Sequence, residues 1–260
     1  MTRSYSVVGL EDFPLVKEGD DLGRMITVSL KKEGISLSDG DVVAVSQKIV
    51  SKSEGRIVKI SDVRPSRKAE KLAKVTRKDP RLIECVLKES RRVLGTAERA
   101  LVVETPTGLI CLNAGIDKSN IRGGDTYSLL PTNPDSSAQV IRTRLGELTG
   151  KNVGVIICDT YSRPLRNGIV EFAIGIAGVR PFKDYRGTRD LFGNELKFKL
   201  VAVADEMAAA AELVMGQGSE AIPVAIIKGL RLMVADSAVD PESTELLMPT
   251  SRDLYRGTIR

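Results

Sequence analysis

Residues 153–160, VGVIICDT, form the stretch that decides the fold. A short run rich in Val and Ile that stops at the polar segment YSRPLRNG predicts a buried strand. The carboxyl end of this strand would bring Asp159 and Thr160 to the edge of the core. Because an ionised carboxylate there is costly without a metal, a lysine or a substrate cation beside it, Asp159 is a candidate ligand. The alternative is that Asp159 only caps the turn after the strand.

A second apolar run gives the same arrangement. Residues 107–112, TGLICL, open into NAGIDKSN, which carries Asp117 and Asn120. Two strands that end beside acids predict one shared site. The chain contains no histidine, so a metal in that site must be held mainly by oxygen ligands, which favours magnesium or manganese.

The composition is that of a soluble globular protein. The 260 residues are 42% apolar and 28% charged, and they can form one large or two modest domains. No apolar stretch approaches the roughly 20 residues of a membrane helix, and the N-terminus lacks a secretory pattern, so a cytoplasmic location is expected. Cys85, Cys111 and Cys158 form no CxxC pair and are interpreted as small buried thiols.

Helix and strand signals alternate along the chain, which predicts a mixed α/β (α+β) protein. The predicted helices are a segment capped by Asp20 or Asp21 that runs to about Lys32, residues 66–78, 79–94 and 136–148, and an alanine-rich helix capped by Asp205. The predicted strands are residues 100–104, 107–112, 153–160, 198–204 and 222–230, with a hairpin over residues 42–60. Residues 169–179 suit either a strand or a tight helix, and Asp240 with Pro241 would open a short last helix.

The net charge of +5 is concentrated in one segment. Residues 64–92 contain eleven Lys and Arg against four Asp and Glu. A nucleic-acid patch is one interpretation, although aromatic residues for base stacking are missing. The helical pattern of the segment favours a solvated face instead, so binding of nucleic acid is not expected.

Two further features are typical of phosphate binding. Residues 216–221, GQGSEA, match a dinucleotide fingerprint by letters, but they follow a helix and precede a strand, which is the wrong order. Their backbone amides could still bind an anion, or the segment could simply end a helix and turn. Lys52 suits a phosphate as a point charge, unless it is merely exposed. The residues alone therefore predict a metal-dependent enzyme that acts on phosphates.

Six motifs, taken together and in order, resemble the coenzyme F420-0:γ-glutamyl ligase family over about residues 7–231. They are GLEDFPLVKEGDDL, VSQKIVSKSEGRI, NAGIDKSN, LTGKNVGVIICDTYSRPLRNGIVEFAIGIAGV, KDYRGTRDLFGNEL and VADEMAAAAELVMGQGSEAIPVAIIKGL. The resemblance implies a GTP-dependent ligase that adds L-glutamate to coenzyme F420-0 and then a γ-linked glutamate to F420-1. It also implies a two-lobed fold and an intertwined homodimer, with residues 1–235 as one ligase unit of interleaved lobes and residues 236–260 as a C-terminal extension.

The same resemblance assigns residues to roles. The metal ligands implied for Mg²⁺ or Mn²⁺, with K⁺ as a further candidate, are Asp117, Asp159, Thr160 and Gln217. The implied catalytic residues are Asp117, Asp159 and Lys52. The implied GTP-binding residues are Phe13, Pro14, Leu15, Val16, Ser46, Gln47, Lys52, Asn120, Met215, Gly216, Gln217, Gly218, Ser219, Glu220, Ala221 and Ile222.

The chain departs from the family pattern at two places. Gln217 stands where the family carries Glu, which predicts weaker binding of a divalent ion because one negative charge is missing. Glu11 and Asp12 are inserted before Phe13 and disturb the first nucleotide segment.

The implied mechanism activates a carboxylate. GTP phosphorylates the terminal carboxylate of the acceptor, and the amine of glutamate then displaces phosphate from the acyl phosphate. Arg163, Arg166 and Arg189 are candidates for binding the acceptor's phosphodiester or carboxylates, or are simply solvated. The alternatives that remain are an amide ligase of the same fold with another acid acceptor, and a non-catalytic RNA-binding protein that uses residues 64–92.

Overall fold

The computed structural model describes residues 4–162, 166–230, 241–249 and 251–253. Within them lie six α-helices and several small sheets around one larger sheet, so the predicted mixed α/β class is confirmed. The strands are β1 (Ser6–Gly9), β2 (Val42–Ser46), β3 (Ile57–Lys59), β4 (Arg92–Ala97), β5 (Ala100–Glu104), β6 (Ile110–Leu112), β7 (Thr126–Ser128), β8 (Gly154–Ser162), β9 (Ile169–Ala177), β10 (Lys183–Asp184), β11 (Leu200–Val201) and β12 (Val224–Lys228). The helices are α1 (Leu22–Lys32), α2 (Gln47–Ser53), α3 (Arg67–Thr76), α4 (Pro80–Lys88), α5 (Pro134–Thr149) and α6 (Val203–Met215).

The central sheet has five strands in the order β1-β12-β2-β8-β9. Strands β2 and β8 are parallel, and the other neighbours are antiparallel. Apolar side chains cover both faces of β8: Val155 and Ile157 pack on one side, and Ile156 and Cys158 pack on the other. Such burial on both faces explains why residues 153–158 carry no polar side chain.

Helices cover the two faces of this sheet. Helices α1 and α5 pack on the face of Val155 and Ile157, and α6 packs its alanine-rich side on the other face. The alanines of α6 bring that helix close to the sheet, and Ala204, Ala208 and Ala211 are fully buried. Asp21 caps α1 as predicted, since its side chain accepts the Arg24 N–H.

A second hydrophobic core is formed by α3, α4 and the three-stranded sheet β4-β5-β6. One face of each helix packs into this core. The buried residues on these faces are Ala69, Ala73, Ile83 and Val86. Most Lys and Arg side chains of residues 64–92 face solvent on the outside. This arrangement is the solvated face that the helical pattern predicted.

An extended arm leaves the fold between β9 and α6. Its outgoing and returning segments pair at β10 and β11. Further backbone hydrogen bonds run from Tyr185 N to Lys199 O and from Gly187 N to Leu196 O. Leu191 and Phe192 at its tip are 98% and 91% exposed.

The predicted hairpin over residues 42–60 is wrong. The segment folds as β2, α2 and β3, because Ser46 caps a helix at Gln47 and Ile49 and Val50 are buried in the core. The predicted strand 198–204 is wrong as well. Only Leu200 and Val201 pair as a strand, and α6 begins at Val203.

Several boundaries also differ from the sequence prediction. Helix α4 ends at Lys88 and not near Leu94, since Arg92–Ala97 pair with β5. Residues 107–109 form a turn before β6, and Asp205 lies inside the first turn of α6 and does not cap it. Residues 169–177 form a strand, which settles the choice left open for them. Cys85, Cys111 and Cys158 are buried free thiols, as predicted.

The C-terminal segment contacts the central sheet. A short 3₁₀ helix covers Ser243–Leu246, and Ser243 donates through its N–H and Oγ to the Asp135 carboxylate. The helix start predicted at Asp240 lies outside the described residues. Among the helices that the structure describes, none has the length and apolar character to cross a bilayer.

Candidate functional site

A cavity of about 350 Å³ lies where β2 passes into α2, opposite the C-terminal end of α6. Two other cavities, of about 420 and 790 Å³, contain none of the residues that sequence analysis assigned to nucleotide or metal. The residues around the smaller cavity are Phe13, Pro14, Leu15, Val16, Ser46, Lys48, Lys52, Asn120, Glu171, Glu212, Met215, Gly216, Gln217, Gly218, Ser219, Glu220, Ala221, Ile222 and Pro223.

This set contains every residue predicted to bind GTP except Gln47. Four distant segments of the chain are therefore brought to one cavity. Gln47 is only 2% exposed, and its Oε1 accepts a hydrogen bond from the Ser51 hydroxyl inside the core. Its side chain thus supports α2 from within and does not face the cavity.

Asp117 is held by a lysine from α2. The Lys48 Nζ lies 2.5 Å from Asp117 Oδ2 and 2.5 Å from the Ser119 hydroxyl. The backbone of Asp117 is fixed by two hydrogen bonds to Ser128 at the end of β7. Burial would raise the pKa of Asp117, but hydrogen bonds from Lys48 and Ser119 outweigh it and hold this pKa below its ordinary value.

Lys52 lies one helical turn after Lys48 on α2 and contacts the same loop as Lys48. Its Nζ donates to the backbone carbonyl of Asn120 at 3.0 Å. Burial, together with the charges of Lys48 and Arg122, lowers the pKa of Lys52. Asn120 has a positive φ of 54°, and its side-chain amide donates to Gly218 O at 3.1 Å, which joins two loops across the cavity.

Asp159 and Thr160 lie inside β8, which continues to Ser162. Successive side chains of a strand point to opposite faces, so these two do not point the same way. Thr160 is paired with Glu171 on β9, and Asp159 is paired with Phe172. Burial raises the pKa of Asp159 to about 7, the charge of Asp117 adds to this, and Lys48 opposes it.

Glu171 is a site residue that sequence analysis missed. It is 4% exposed, and its carboxylate accepts a 3.1 Å hydrogen bond from the Gln217 side-chain amide. Burial and the charges of Asp159 and Glu212 raise its pKa to about 8. A single carboxylate within the apolar run IVEFAIGIA was the signal that could have identified it, since buried acids are rare without a partner. Lys48 was also missed because α2 was interpreted as part of a hairpin.

The loop after α6 ends a helix, as one of the two interpretations of residues 216–221 predicted, and its binding of a phosphate stays a prediction. Gly216 ends α6, since its N–H donates to Glu212 O, so the loop is a helix terminus. The Gly218 N–H donates to the Glu220 carboxylate at 2.7 Å, so an anion already contacts a loop amide. Gly216 and Ala221 both have positive φ, at 69° and 58°, which is strained for Ala221.

The four predicted metal ligands fall into two groups. Asp117 and Asp159 interact with Lys48, whereas Thr160 and Gln217 lie with Glu171 on the side of α6. Within the described ranges, no three Asp, Glu or Cys side chains could hold a metal ion by themselves. A magnesium ion that also binds nucleotide phosphates needs only one or two protein carboxylates, which the first group supplies.

Two of the arginines proposed for the acceptor are not among the residues that line this cavity. Arg166 is exposed after β8, and Arg189 lies in the arm, where its Nη1 donates to Gly193 O. Arg163 is outside the described residues.

Comparisons with known proteins identify the family of this chain. Residues 11–229 match the model of the family described as F420-0:gamma-glutamyl ligase. The coenzyme F420:L-glutamate ligase of Methanothermobacter thermautotrophicus is 44% identical over 254 residues, which are 97% of this chain and 99% of that protein. The proteins with the same name from Archaeoglobus fulgidus and Methanocaldococcus jannaschii are 44% and 42% identical, over 87% and 72% of this chain and 88% and 73% of their own length.

These relatives are named as ligases, so the chain is an enzyme. The chain belongs to the F420-0:γ-glutamyl ligase family.

Proposed function

We propose that this enzyme joins L-glutamate to coenzyme F420-0 and then adds a γ-linked glutamate to F420-1. Each addition consumes GTP, passes through an acyl phosphate and releases GDP and phosphate. The observation that carries the proposal is the gathering of the implied nucleotide residues around one cavity that also borders Lys48 and Glu171. The names of the related proteins support glutamate and the F420 cofactor as substrates.

The nucleotide phosphates would occupy the polar end of the cavity. Lys52 faces this end from α2, and burial lowers its pKa. A lysine that is partly shielded from water binds phosphate more strongly than an exposed one. The loop of residues 216–220 offers backbone amides on the opposite side. Glu220 now accepts the Gly218 N–H, so a phosphate would have to replace this carboxylate.

The donor set around Asp117 and Asp159 fits Mg²⁺ or Mn²⁺. Both side chains offer hard oxygen ligands, and only Lys48 compensates their charge within the described contacts. Thr160 and Gln217 would supply oxygens on the other side of β8, where the Glu171 carboxyl group adds further oxygen ligands for a second cation such as K⁺. A bound divalent ion would neutralise charge on the transferring phosphoryl group.

Side chains of the enzyme would then control the transfer of the γ-phosphoryl group. Direct attack of an amine on a carboxylate fails because the carboxylate is charged and has no leaving group, so phosphorylation comes first. Lys52 would hold the γ-phosphoryl group as it moves to the acceptor carboxylate. Asp117 and Asp159 would hold the divalent ion, which when bound supplies positive charge to the phosphates. The amine of glutamate would then attack the acyl carbon and release phosphate.

The arm supports the proposal of an intertwined, two-lobed homodimer. Leu191, Phe192 and Phe198 are at least 90% exposed on an element that is otherwise well hydrogen-bonded. A large apolar tip of this kind is typical of a contact with another protein chain. A second copy would bury these three side chains.

The test is a product assay. The protein is incubated with F420-0, glutamate, GTP and Mn²⁺, and successive glutamyl additions are followed by mass, with one GDP expected for each. A heavy-oxygen label in the acceptor carboxylate should appear in the released phosphate. The matched variants are Asp159→Asn, which should lose roughly 10²-fold or more of the turnover, and Asp62→Asn, an exposed acid elsewhere, which should keep it. Phosphate release with a different acid, and none with F420-0, would refute the acceptor.

A further inference from the structure

Lys48 occupies the position where a cation would bind Asp117. Its ammonium is 2.5 Å from Asp117 Oδ2, and its side chain is only 18% exposed. The Ser119 hydroxyl is a second acceptor at 2.5 Å, so two oxygens surround the ammonium as they would surround an ion.

Lys48 is the cation that pairs with Asp117 among the described contacts. Its side chain also lines the cavity that Glu171 of β9 borders. Without Lys48, the half-buried Asp117 carboxylate would lose its cationic partner.

The ammonium and a divalent ion cannot share Asp117 Oδ2. A magnesium–oxygen contact is about 2.0–2.1 Å long, so an ion on this oxygen would lie close to the Lys48 ammonium and repel it. A second position is available to the Lys48 ammonium, because its side chain also borders the cavity proposed for the nucleotide phosphates. Its flexible stem allows the ammonium to turn toward them.

We propose that Lys48 holds the place of the divalent ion in the free enzyme and moves to the nucleotide phosphates when metal and nucleotide bind. The inference rests on the proposed function, since it requires a metal at Asp117 and Asp159. When metal binds alone, it must displace Lys48 from Asp117, and Lys48 gains no new partner. When metal binds together with nucleotide, the phosphates become the new partner of Lys48. The two ligands therefore bind cooperatively, and the free enzyme binds metal weakly.

Binding of Mn²⁺, followed by electron paramagnetic resonance, tests this coupling. Wild type should bind Mn²⁺ roughly tenfold or more tightly when a non-hydrolysable GTP analogue is present. Lys48→Met should bind Mn²⁺ alone roughly tenfold or more tightly than wild type, and should lose most of the gain from the analogue. Lys52→Met is the matched control one turn along α2, since Lys52 donates to the Asn120 carbonyl and pairs with no carboxylate among the described residues, and its Mn²⁺ affinity without nucleotide should change much less.

Other results decide against the inference. If Lys48→Met binds Mn²⁺ alone no more tightly than wild type, Lys48 does not compete with the ion. If wild type binds no Mn²⁺ even with the analogue, or Asp159→Asn binds it equally well, the proposed metal site fails and the inference fails with it. A crystal structure of wild type with Mn²⁺ and the analogue needs no variant: Lys48 still bonded to Asp117 there would overturn the proposal.

Discussion

Replacing Glu171 with Gln should stabilise the protein in alkaline solution. Glu171 is 4% exposed, and its pKa is raised from 4.5 to about 8, chiefly by burial. The variant keeps the shape of the side chain. Its amide oxygen can still accept the hydrogen bond that Gln217 now donates at 3.1 Å. The substitution therefore removes the charge and little else.

The sign of the effect follows from proton binding. Between pH 4.5 and about 8, native Glu171 retains a proton that the unfolded chain has lost, so the free energy of unfolding falls as the pH rises. The fall is at most about 1.4 kcal/mol per pH unit and ends above pH 8, which gives a ceiling of roughly 5 kcal/mol. Relaxation around the ionised group reduces this, so we expect about 2–3 kcal/mol in favour of the variant at pH 9.

The assay is thermal unfolding of the metal-free protein at pH 5 and pH 9. A gain of about 2–3 kcal/mol corresponds to roughly 5–10 °C in Tm for a chain of this size. At pH 5 the two proteins should differ by less than about 1 kcal/mol, since Glu171 is then protonated and Gln has the same shape. Glu206→Gln, an exposed acid on α6, is the control and should give the same small difference at both pH values.

Equal stability of wild type and Glu171→Gln at both pH values would refute the reasoning. It would mean that Glu171 is well compensated when ionised. A variant that is less stable at pH 9 would show that Glu171 ionises with a favourable partner.

Three further substitutions test other parts of the account. Asp159→Asn should fold normally, because it removes a carboxylate whose pKa is already raised to about 7, but turnover should fall by roughly 10²-fold or more in the product assay. Gly216→Ala should destabilise the protein by about 1–3 kcal/mol in denaturant unfolding and raise KM for GTP, since Gly216 has φ 69° and a Cβ would lie 2.4 Å from the Glu220 carboxyl carbon. Leu191→Ser combined with Phe192→Ser should shift the protein toward a monomer in light scattering, because these side chains are the exposed tip of the arm.

Each of these has a clear contrary result. Wild-type turnover in Asp159→Asn would remove the metal role of that carboxylate. Unchanged stability of Gly216→Ala would mean that the loop relaxes freely. An unchanged oligomeric state of the arm variant would show that its tip is not a subunit contact.

Elements defined by local chemistry were predictable from the sequence. Helix α1 begins after Asp21 and α3 after Ser66, where the side chains cap the first turn, and α5 ends at Gly150 in a left-handed conformation. Strand β5 occupies the predicted residues 100–104. In each case a cap, a turn or an apolar run within a few residues determines the boundary.

Elements that depend on distant contacts were not predictable. In α2, the β-branched Ile49 and Val50 favour a strand locally, but their burial against the core and the Ser46 cap make a helix. The strand predicted from Phe198 to Ala204 is reduced to Leu200–Val201, and Phe198 itself is 90% exposed on the arm. Tertiary contacts decided both segments.

The same distinction holds for the candidate site. The loop of residues 216–222 and Lys52 could be assigned from residue type and motif, and they do meet at one cavity. The role of Glu171 depends on its register opposite Thr160, and that of Lys48 depends on the helix that points it at Asp117. Neither the register nor the direction is visible in the residues alone.

The most direct test of the account is the position of the metal in a crystal of the enzyme with Mn²⁺ and a non-hydrolysable GTP analogue. Anomalous scattering should place a Mn²⁺ ion on the carboxylates of Asp117 and Asp159, in contact with phosphates that lie against the loop of residues 216–220. A nucleotide bound outside this cavity, or a Mn²⁺ ion that contacts neither carboxylate, would contradict it.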